Sequence, residues 1–465
     1  MITSQYLLLL PLIVLIYTQL RLDRTRHALL ILVAAIIFLA SGIYDLVIIS
    51  LLLSITWFGI RISEKKLSSK KIYLIALIAL EITPLLIYKF LKLGWFHEAL
   101  AEELSLDQLS SLIPPLGLSI LTFQAISYTV DRFQNKIHQT DFFEFLVYMT
   151  FFPHLVAGPI LKASEFIPQL NTKRVVSESD LNDGIWRIFC GLFKKLVLAD
   201  LLAKTAIDPV FLDSGAFSSL EILIALYAYT IQIYLDFSAY TDVVIGSALL
   251  LGYKIPENFN QPYRVHSIAE YWRRWHMSLS NWVMHYVYFP LGGSRGVGLV
   301  VYRNVFICIL LLAIWHGITI NFILYGTCHA TAVCINRWAR KQEWWIQLFN
   351  QHPIVLSITC WLLVFNFIVF SRILFRNPDL ESALNFIDNI QNSDLSGSPR
   401  FSLIFWLALC GGCVICFINM KMINTVRNLF NQLPYFAKGL LFALILMAAA
   451  YLSSGDLLNF IYRNF

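Results

Sequence analysis

Apolar stretches long enough to cross a lipid bilayer recur from one end of this chain to the other, and no other feature constrains its fold as strongly. A membrane-spanning helix needs about 20 predominantly apolar residues. Of the 465 residues, 58% are hydrophobic and only 14% are charged, whereas about 25% of the residues in a soluble domain are charged. The composition therefore excludes a soluble enzyme, a disordered protein and a peripheral protein held by one anchor.

These stretches predict an all-α polytopic membrane protein. The first one lacks the basic flank and the small-residue cleavage site of a signal peptide, so we expect it to be a membrane helix. The candidate spans are 4–20, 27–43, 45–60, 72–93, 112–130, 184–204, 219–235, 299–318, 320–336, 354–375, 401–420 and 434–452.

Charged residues in the connecting loops predict the orientation of the chain. Loops 21–26 and 61–71 are basic, whereas segment 94–111 contains acidic residues and no Lys or Arg. Basic loops remain in the cytoplasm, so the N-terminus is expected outside. The same alternation returns with the basic stretch 337–341 and the acidic stretch 377–399. The net charge of +6 follows this pattern, so we expect membrane lipid and not nucleic acid as a partner.

Three segments fit this scheme poorly. Segment 141–161 is broken by prolines and a glycine, and segment 236–251 carries two carboxylates. We predict that both are re-entrant or deeply buried, because broken backbone at membrane depth must be covered by protein or line a cavity. Residues 252–298 are too polar to span and have aromatic rings interleaved with basic residues, which is typical of an interfacial element.

His316 is the first candidate for a chemical role. It lies between two apolar runs in the string Trp315-His316-Gly317, with Asn321 at the following turn. A neutral imidazole costs less to bury than a charged group, and its usual pKa of about 6.5 suits a general base. On the residues alone, a histidine that satisfies a helix-end carbonyl is an equal alternative. His276 is second, as a partner for His316 or as an interfacial histidine.

Other polar residues of the middle region have more ordinary interpretations. Asp236 and Asp242 would be costly to bury unless they are paired. The expected cations are Arg264, Arg273 and Arg274, and the possible hydrogen-bond donors are Tyr234 and Tyr240. The histidines lack metal-ligand spacing, so no metal is expected.

Three strings, taken together, resemble the membrane-bound O-acyltransferase (MBOAT) family. The first runs from Phe151-Phe152-Pro153-His154 to Gly158-Pro159-Ile160. The second starts with DFSAYTD at Asp236 and continues through ENFNQPY and YWRRWH to PLGGSR at Arg295. The third is the WHG of Trp315 to Gly317, followed by NFILYG. The resemblance is to the bacterial branch, which includes the membrane subunit of alginate O-acetylation and the D-alanyl transferase of teichoic acids.

The resemblance implies about 11–13 membrane helices around a core of tilted and re-entrant helices with a central tunnel. His316 maps onto the key intramembrane histidine and His276 onto the second family histidine. The residues expected to line the tunnel or support the core are Asp236, Tyr240, Asn258, Asn260, Arg273, Arg274, Trp315 and Asn321. We expect a single integral membrane domain over 1–465, with peripheral helices in 1–111, the catalytic core in 112–336 and C-terminal helices in 337–465.

The resemblance also implies an activity. Bacterial members move an acyl group from a cytoplasmic thioester to a hydroxyl outside the cytoplasmic membrane. The expected donor is acetyl-CoA or an acyl-carrier thioester, without a permanently bound cofactor. The expected partner is an extracytoplasmic acyltransferase or a carrier protein. The PLGGSR string favours acetylation of an exported polysaccharide. Other candidates are peptidoglycan or a secondary metabolite as acceptor, D-alanyl transfer to teichoic acid, an envelope-polymer transporter or flippase, and a non-catalytic scaffold.

One departure from the family pattern affects specificity. Family members often have an Arg-Asp pair after the amphipathic tryptophan, whereas here Trp282 is followed by Val283, Met284 and His285. The expected acyl donor, partner or acceptor therefore need not be that of the best-known members.

Overall fold

A computed structural model describes residues 4–63, 70–92, 115–155, 158–172, 176–295, 298–394 and 399–452. Helices dominate these ranges, and the β-pairing in them is a single isolated bridge between Phe259 and Trp275. The predicted all-α fold is therefore confirmed. The acidic segment 94–111, most of the basic loop 61–71 and the C-terminal tail from 453 lie outside the described residues.

The first half of the chain contains nine helices that we label α1 to α9. Between α8 and α9 the helical backbone continues without a break to Leu212, through two π-helical stretches at Phe193–Ala199 and Ala203–Ile207. The helices are α1 (Ser4–Gln19), α2 (Asp23–Ser41), α3 (Ile43–Ser63), α4 (Lys70–Lys92), α5 (Leu118–Phe133), α6 (Phe142–Thr150), α7 (Ala163–Phe166), α8 (Glu178–Leu192) and α9 (Ser219–Leu250).

The second half contains ten labelled helices. A π-helical turn at Met284–Tyr288 follows the second of them directly. The helices are α10 (Ile268–Arg274), α11 (Met277–Val283), α12 (Leu299–His316), α13 (Ile320–Ala339), α14 (Glu343–Gln351), α15 (Pro353–Arg376), α16 (Leu380–Asn392), α17 (Leu403–Phe417), α18 (Met420–Gln432) and α19 (Tyr435–Leu452).

Each of the twelve predicted spans overlaps with a helix of the structure. Six helices in the described part of the chain are long and apolar enough to cross a membrane by themselves: α2, α3, α4, α9, α12 and α15. The pair α17 and α18 would qualify as one broken span with a bend of 105°. The chain is therefore a multi-pass membrane protein, while the tunnel and the count of 11–13 membrane helices stay predictions.

Two compact units contain the described residues. The first comprises the chain up to Ile185 together with Val244–Pro256, and the second comprises Trp186–Val243 and the residues from Glu257 onward. The proposed boundaries at 111 and 336 stay predictions.

The first unit contains the broken segment predicted at 141–161. Its helix α6 begins with a capping box between Asp141 and Glu144 and covers only nine residues. The chain then leaves the α-helix at Phe151 and forms a 3₁₀ turn over Phe152–His154 that is buried. A helix of nine residues is about 14 Å long, which is too short for a membrane span. The predicted burial is confirmed for most of the described residues from Glu144 onward, whereas Asp141, Phe142 and Phe143 are exposed.

The second unit contains most of the long helix α9. The sequence predicted a span at 219–235 and a separate element at 236–251, but the structure shows one helix of 32 residues. The division was wrong because the carboxylates of Asp236 and Asp242 lower the hydropathy of this segment. In the structure, other side chains neutralise both carboxylates. The predicted deep burial is confirmed, since both carboxylates are buried.

Candidate active site

His316 is the last residue of α12. Gly317 follows in an extended conformation, and α13 begins three residues later at Ile320. The imidazole stacks on Phe322 with the ring centroids 5.9 Å apart, and Phe375 meets it edge-on at 5.0 Å. His316 is half-buried, as are Trp315 and Phe322 beside it, whereas Phe375 is buried. It is thus an imidazole at a helix end that its neighbours cover only in part.

His276 occupies the turn between α10 and α11. Its backbone has φ 44° and ψ 55°, the left-handed region. This conformation costs a residue other than glycine about 1–2 kcal/mol, and such strain is most often kept at functional sites. The side chain is only 4% exposed and lies edge-on to Phe237 of α9 at 4.8 Å. Burial lowers the pKa of His276 to about 3, so this imidazole is neutral at physiological pH.

Asn258 holds the turn in which His276 lies. Its carbonyl oxygen accepts a hydrogen bond from the backbone nitrogen of Met277 at 2.9 Å. Its side-chain Oδ1 accepts from the Ser278 hydroxyl at 2.5 Å, and its Nδ2 donates to Thr241 of α9 at 3.3 Å. This buried amide therefore ties the histidine turn to α9, and its role in the core or the tunnel stays a prediction.

Trp315 lies beside both histidines. Its ring centroid is 4.7 Å from that of His316 and 6.0 Å from that of His276. Two histidines 40 positions apart in the sequence are thus brought to the same indole. The catalytic partnership of His276 with His316 stays a prediction.

Asp236 and Asp242 form the buried ion pairs that were expected, but with other cations. Lys195 lies 2.7 Å from Asp236, and Lys194 lies 2.6 Å from Asp242. Arg187 also binds Asp242 at 2.6 Å. The expected pairing with Arg264, Arg273 or Arg274 was wrong, because α8 and the helical stretch that follows it bring their positive charges to α9.

The remaining predicted residues are distributed as follows. Tyr240 is buried in α9, one turn after Asp236. Asn321 is buried, and its Nδ2 donates to the carbonyl of Asn377 at 3.0 Å. Arg273 is exposed, and Arg274 forms an ion pair with Glu270 on its own helix. The side chain of Asn260 is exposed, although its backbone nitrogen donates to the carbonyl of Arg274.

The structure also brings residues to this region that the sequence did not single out as functional. Arg372 of α15 is 1% exposed and donates to the hydroxyl of the buried Tyr271 at 2.8 Å. His329 of α13 is fully buried against Tyr325 and hydrogen-bonded to Ser371. Arg372 could have been found by the rule that charged residues inside spans are functional candidates.

Within the ranges that the structure describes, no three His, Cys, Asp or Glu residues are grouped so that they could hold a metal ion. The chemistry available at this site is that of imidazole, phenol and guanidinium groups in an aromatic surrounding. A half-exposed imidazole beside a buried neutral one can accept a proton from a hydroxyl.

Together, a multi-pass helical membrane fold and histidines packed around the end of a membrane helix define an integral membrane protein with a histidine site. The chain belongs to the MBOAT, membrane-bound O-acyltransferase family, whose model matches residues 33–376. It is therefore an acyltransferase of the membrane, and the matched range includes both His276 and His316.

Three relatives show the range of the family around this chain. The probable alginate O-acetylase AlgI of Pseudomonas aeruginosa is 33% identical over 371 residues, which cover 78% of this chain and 69% of the relative. The peptidoglycan O-acetyltransferase of Helicobacter pylori is 36% identical over 301 residues, 59% of this chain and 56% of the relative. The teichoic acid D-alanyltransferase of Bacillus subtilis is 29% identical over 284 residues, 57% of this chain and 69% of the relative.

Proposed function

We propose that this chain moves an acetyl group from a cytoplasmic thioester to a hydroxyl of an exported polysaccharide or another cell-envelope acceptor, with His316 as the base. The observation that carries the proposal is the half-exposed imidazole of His316 at the end of α12, packed against Trp315. The proposed location is the bacterial cytoplasmic membrane. The proposed donor is acetyl-CoA or an acyl-carrier thioester.

Acetyl is favoured over D-alanyl as the transferred group. The alginate and peptidoglycan acetylating relatives are 33% and 36% identical, against 29% for the D-alanyltransferase. The PLGGSR turn favours the alginate-like subgroup. Asn304 of α12 holds this turn in place, because its side chain donates hydrogen bonds to the carbonyls of Leu291 and Gly293. A partner on the outer side, or a carrier protein, is part of the proposal.

The proposed step is direct transfer. The imidazole of His316 takes the proton of the acceptor hydroxyl, and the oxygen attacks the thioester carbonyl. The carbon–sulfur bond breaks, the thiolate leaves, and it receives the proton from the imidazolium. The products are an ester and a free thiol, so atoms and charges balance. The neutral His276, beside the same indole, orients the site without changing its charge.

Replacing His316 with Ala tests the proposal. We expect loss of acetyl esters from the envelope polymer, measured by mass spectrometry of the isolated polymer, with normal amounts of protein in the membrane. His352→Ala is a matched control, because His352 is an exposed histidine in front of α15. Retained acetylation in the His316 variant would refute the role of the base. Alanyl instead of acetyl esters in wild-type cells would refute the acyl group.

A further inference from the structure

Arg372 is a buried cation near the histidine site that the proposed chemistry does not use. Its guanidinium lies over the ring of Trp275, 4.9 Å from the centroid, and 5.4 Å from the centroid of Phe375. Its Nη2 donates to the Tyr271 hydroxyl at 2.8 Å. A charged group inside a membrane segment is costly, so its presence there calls for a functional explanation.

The neighbours of Arg372 are also the neighbours of the two histidines. Trp275 immediately precedes His276, and Tyr271 stacks on Trp275 at 5.7 Å with an interplanar angle of 21°. On the other side, Phe375 contacts the imidazole of His316 edge-on at 5.0 Å. A single guanidinium therefore lies over the ring of the residue that precedes His276 and over the ring that contacts His316.

We propose that Arg372 is a positioning residue for acyl transfer, which holds Trp275 and Phe375 and through them orients His276 and His316. This inference rests on the proposed role of His316. A guanidinium suits the task because it is planar, stacks on aromatic faces and donates in fixed directions. Lysine keeps the charge but has a compact ammonium that cannot cover two rings and donate to Tyr271 in the same geometry.

Arg376 provides a matched control one turn further along α15. It also lies over two aromatic rings, those of Phe211 and Tyr229, at 5.8 and 5.4 Å. It forms an ion pair with Asp208 at 2.6 Å. The two arginines thus share helix, residue type and aromatic environment, but the rings of Arg376 are not Trp275 and Phe375.

The first test compares Arg372→Lys with Arg376→Lys in inverted membrane vesicles that contain the whole chain and its envelope assembly. With acetyl-CoA varied, we expect Arg372→Lys to lower kcat about tenfold to a hundredfold, the scale of small misplacements at an active site, with KM within twofold. Arg376→Lys should have a kcat within twofold of the wild-type value, and the two variants should have similar midpoints of thermal unfolding. A wild-type kcat in Arg372→Lys, or an equal loss in both variants, would overturn the proposal.

Tyr271→Phe supplies a milder variant, since it removes only the hydroxyl that accepts from Arg372. We expect a smaller loss of kcat in the same direction, and no further loss when it is combined with Arg372→Lys. An additive loss in the double variant would show that the two groups act separately and would contradict the proposal.

A second readout does not depend on activity. Diethylpyrocarbonate modifies accessible imidazoles, and mass spectrometry gives the rate at His316. We expect Arg372→Lys to change this rate severalfold and Arg376→Lys to leave it unchanged. A loss of kcat with an unchanged rate would refute positioning. If His316→Ala retained transfer, the proposed function would fail instead, and the labelling would still report the arrangement of the rings.

Discussion

At the scale of single residues, His276 has the clearest consequence for pH dependence. Its pKa of about 3 results from burial, which disfavours the imidazolium. Because the folded-state pKa is depressed, His276 takes up a proton only as the pH falls to about 3. It is therefore neutral between pH 5 and pH 9, and we expect any acid limb of the rate profile in this range to belong to another group.

The His276→Gln variant should transfer acyl groups more slowly without a change in the pH dependence of the rate. The amide keeps a neutral, hydrogen-bonding side chain at a left-handed position, so we expect the protein to fold and the rate of acyl transfer to fall about tenfold or more. The midpoint of the acid limb should not move. Measuring the rate from pH 5 to pH 9 tests this, with His352→Gln as the control. Disappearance of the acid limb in His276→Gln would show that His276 is itself the titrating base.

The sequence was informative about residue types but not about their partners. It indicated that Asp236 and Asp242 must be paired, because isolated carboxylates are costly to bury. It did not indicate Lys194 and Lys195, which lie about 40 residues earlier within an apolar stretch. Ion pairing depends on which helices pack against each other. A single sequence does not show this, because the loops that connect the helices allow many arrangements. The nearest arginines in the sequence were therefore the wrong cations.

At the scale of elements, buried charge joins the helical stretch after α8 to α9. Lys195 lies 2.9 Å from Asp200 and 2.7 Å from Asp236, and all three side chains are at most 7% exposed. Removing one partner of a buried pair costs about 3–5 kcal/mol, because the remaining charge stays buried. The consequence depends on which partner is removed.

We therefore predict that Lys195→Met destabilises the protein more than Asp236→Asn. The first variant removes the cation between two buried carboxylates, whereas the second leaves Lys195 with Asp200. Thermal unfolding in detergent, followed by circular dichroism, should give the lower midpoint for Lys195→Met. Lys162→Met is the control, because its partner Glu165 is 55% exposed and stays in contact with water when the lysine is removed. Equal midpoints for Lys195→Met and Lys162→Met would contradict the prediction.

The helices were predictable from the lengths of the apolar stretches. Whether two neighbouring stretches form one helix or two was harder to predict. Every predicted span overlaps with a helix, because about 20 apolar residues have few alternatives in a bilayer. The continuity of α9 was missed because a carboxylate lowers the hydropathy of a segment even where a cation such as Lys195 neutralises it. The break after α6 was found because Pro153 removes a backbone donor.

At the scale of the whole molecule, the order of the motifs carried more information than any single residue. The strings around Asp236, His276 and His316 indicated the family before the fold was known. They did not reveal Arg372, whose role depends on how α15 packs against α10 and α13. An apolar pattern indicates that a helix is buried. It does not indicate which side chains of other helices that helix contacts.

The charges on either side of α15 predict its orientation in the membrane. The basic stretch at the end of α13 is expected in the cytoplasm and the acidic stretch that contains α16 outside, so α15 should cross the bilayer. Its 24 residues span about 36 Å, which is sufficient. In intact spheroplasts, a membrane-impermeant maleimide should label Glu381→Cys and should label Lys341→Cys only after lysis. Both side chains are exposed in the structure.

The unmodified chain serves as the control in this experiment, because it has eight native cysteines. The result also bears on the chemistry. The two sites flank α15, whose Arg372 and Phe375 lie towards its Glu381 end, the end at which Phe375 contacts His316. Labelling of Glu381→Cys from outside would therefore put His316 in the outer half of the membrane, within reach of an acceptor hydroxyl. Labelling of Lys341→Cys alone would reverse α15 and place the base near the cytoplasm, which contradicts transfer to an exported polymer.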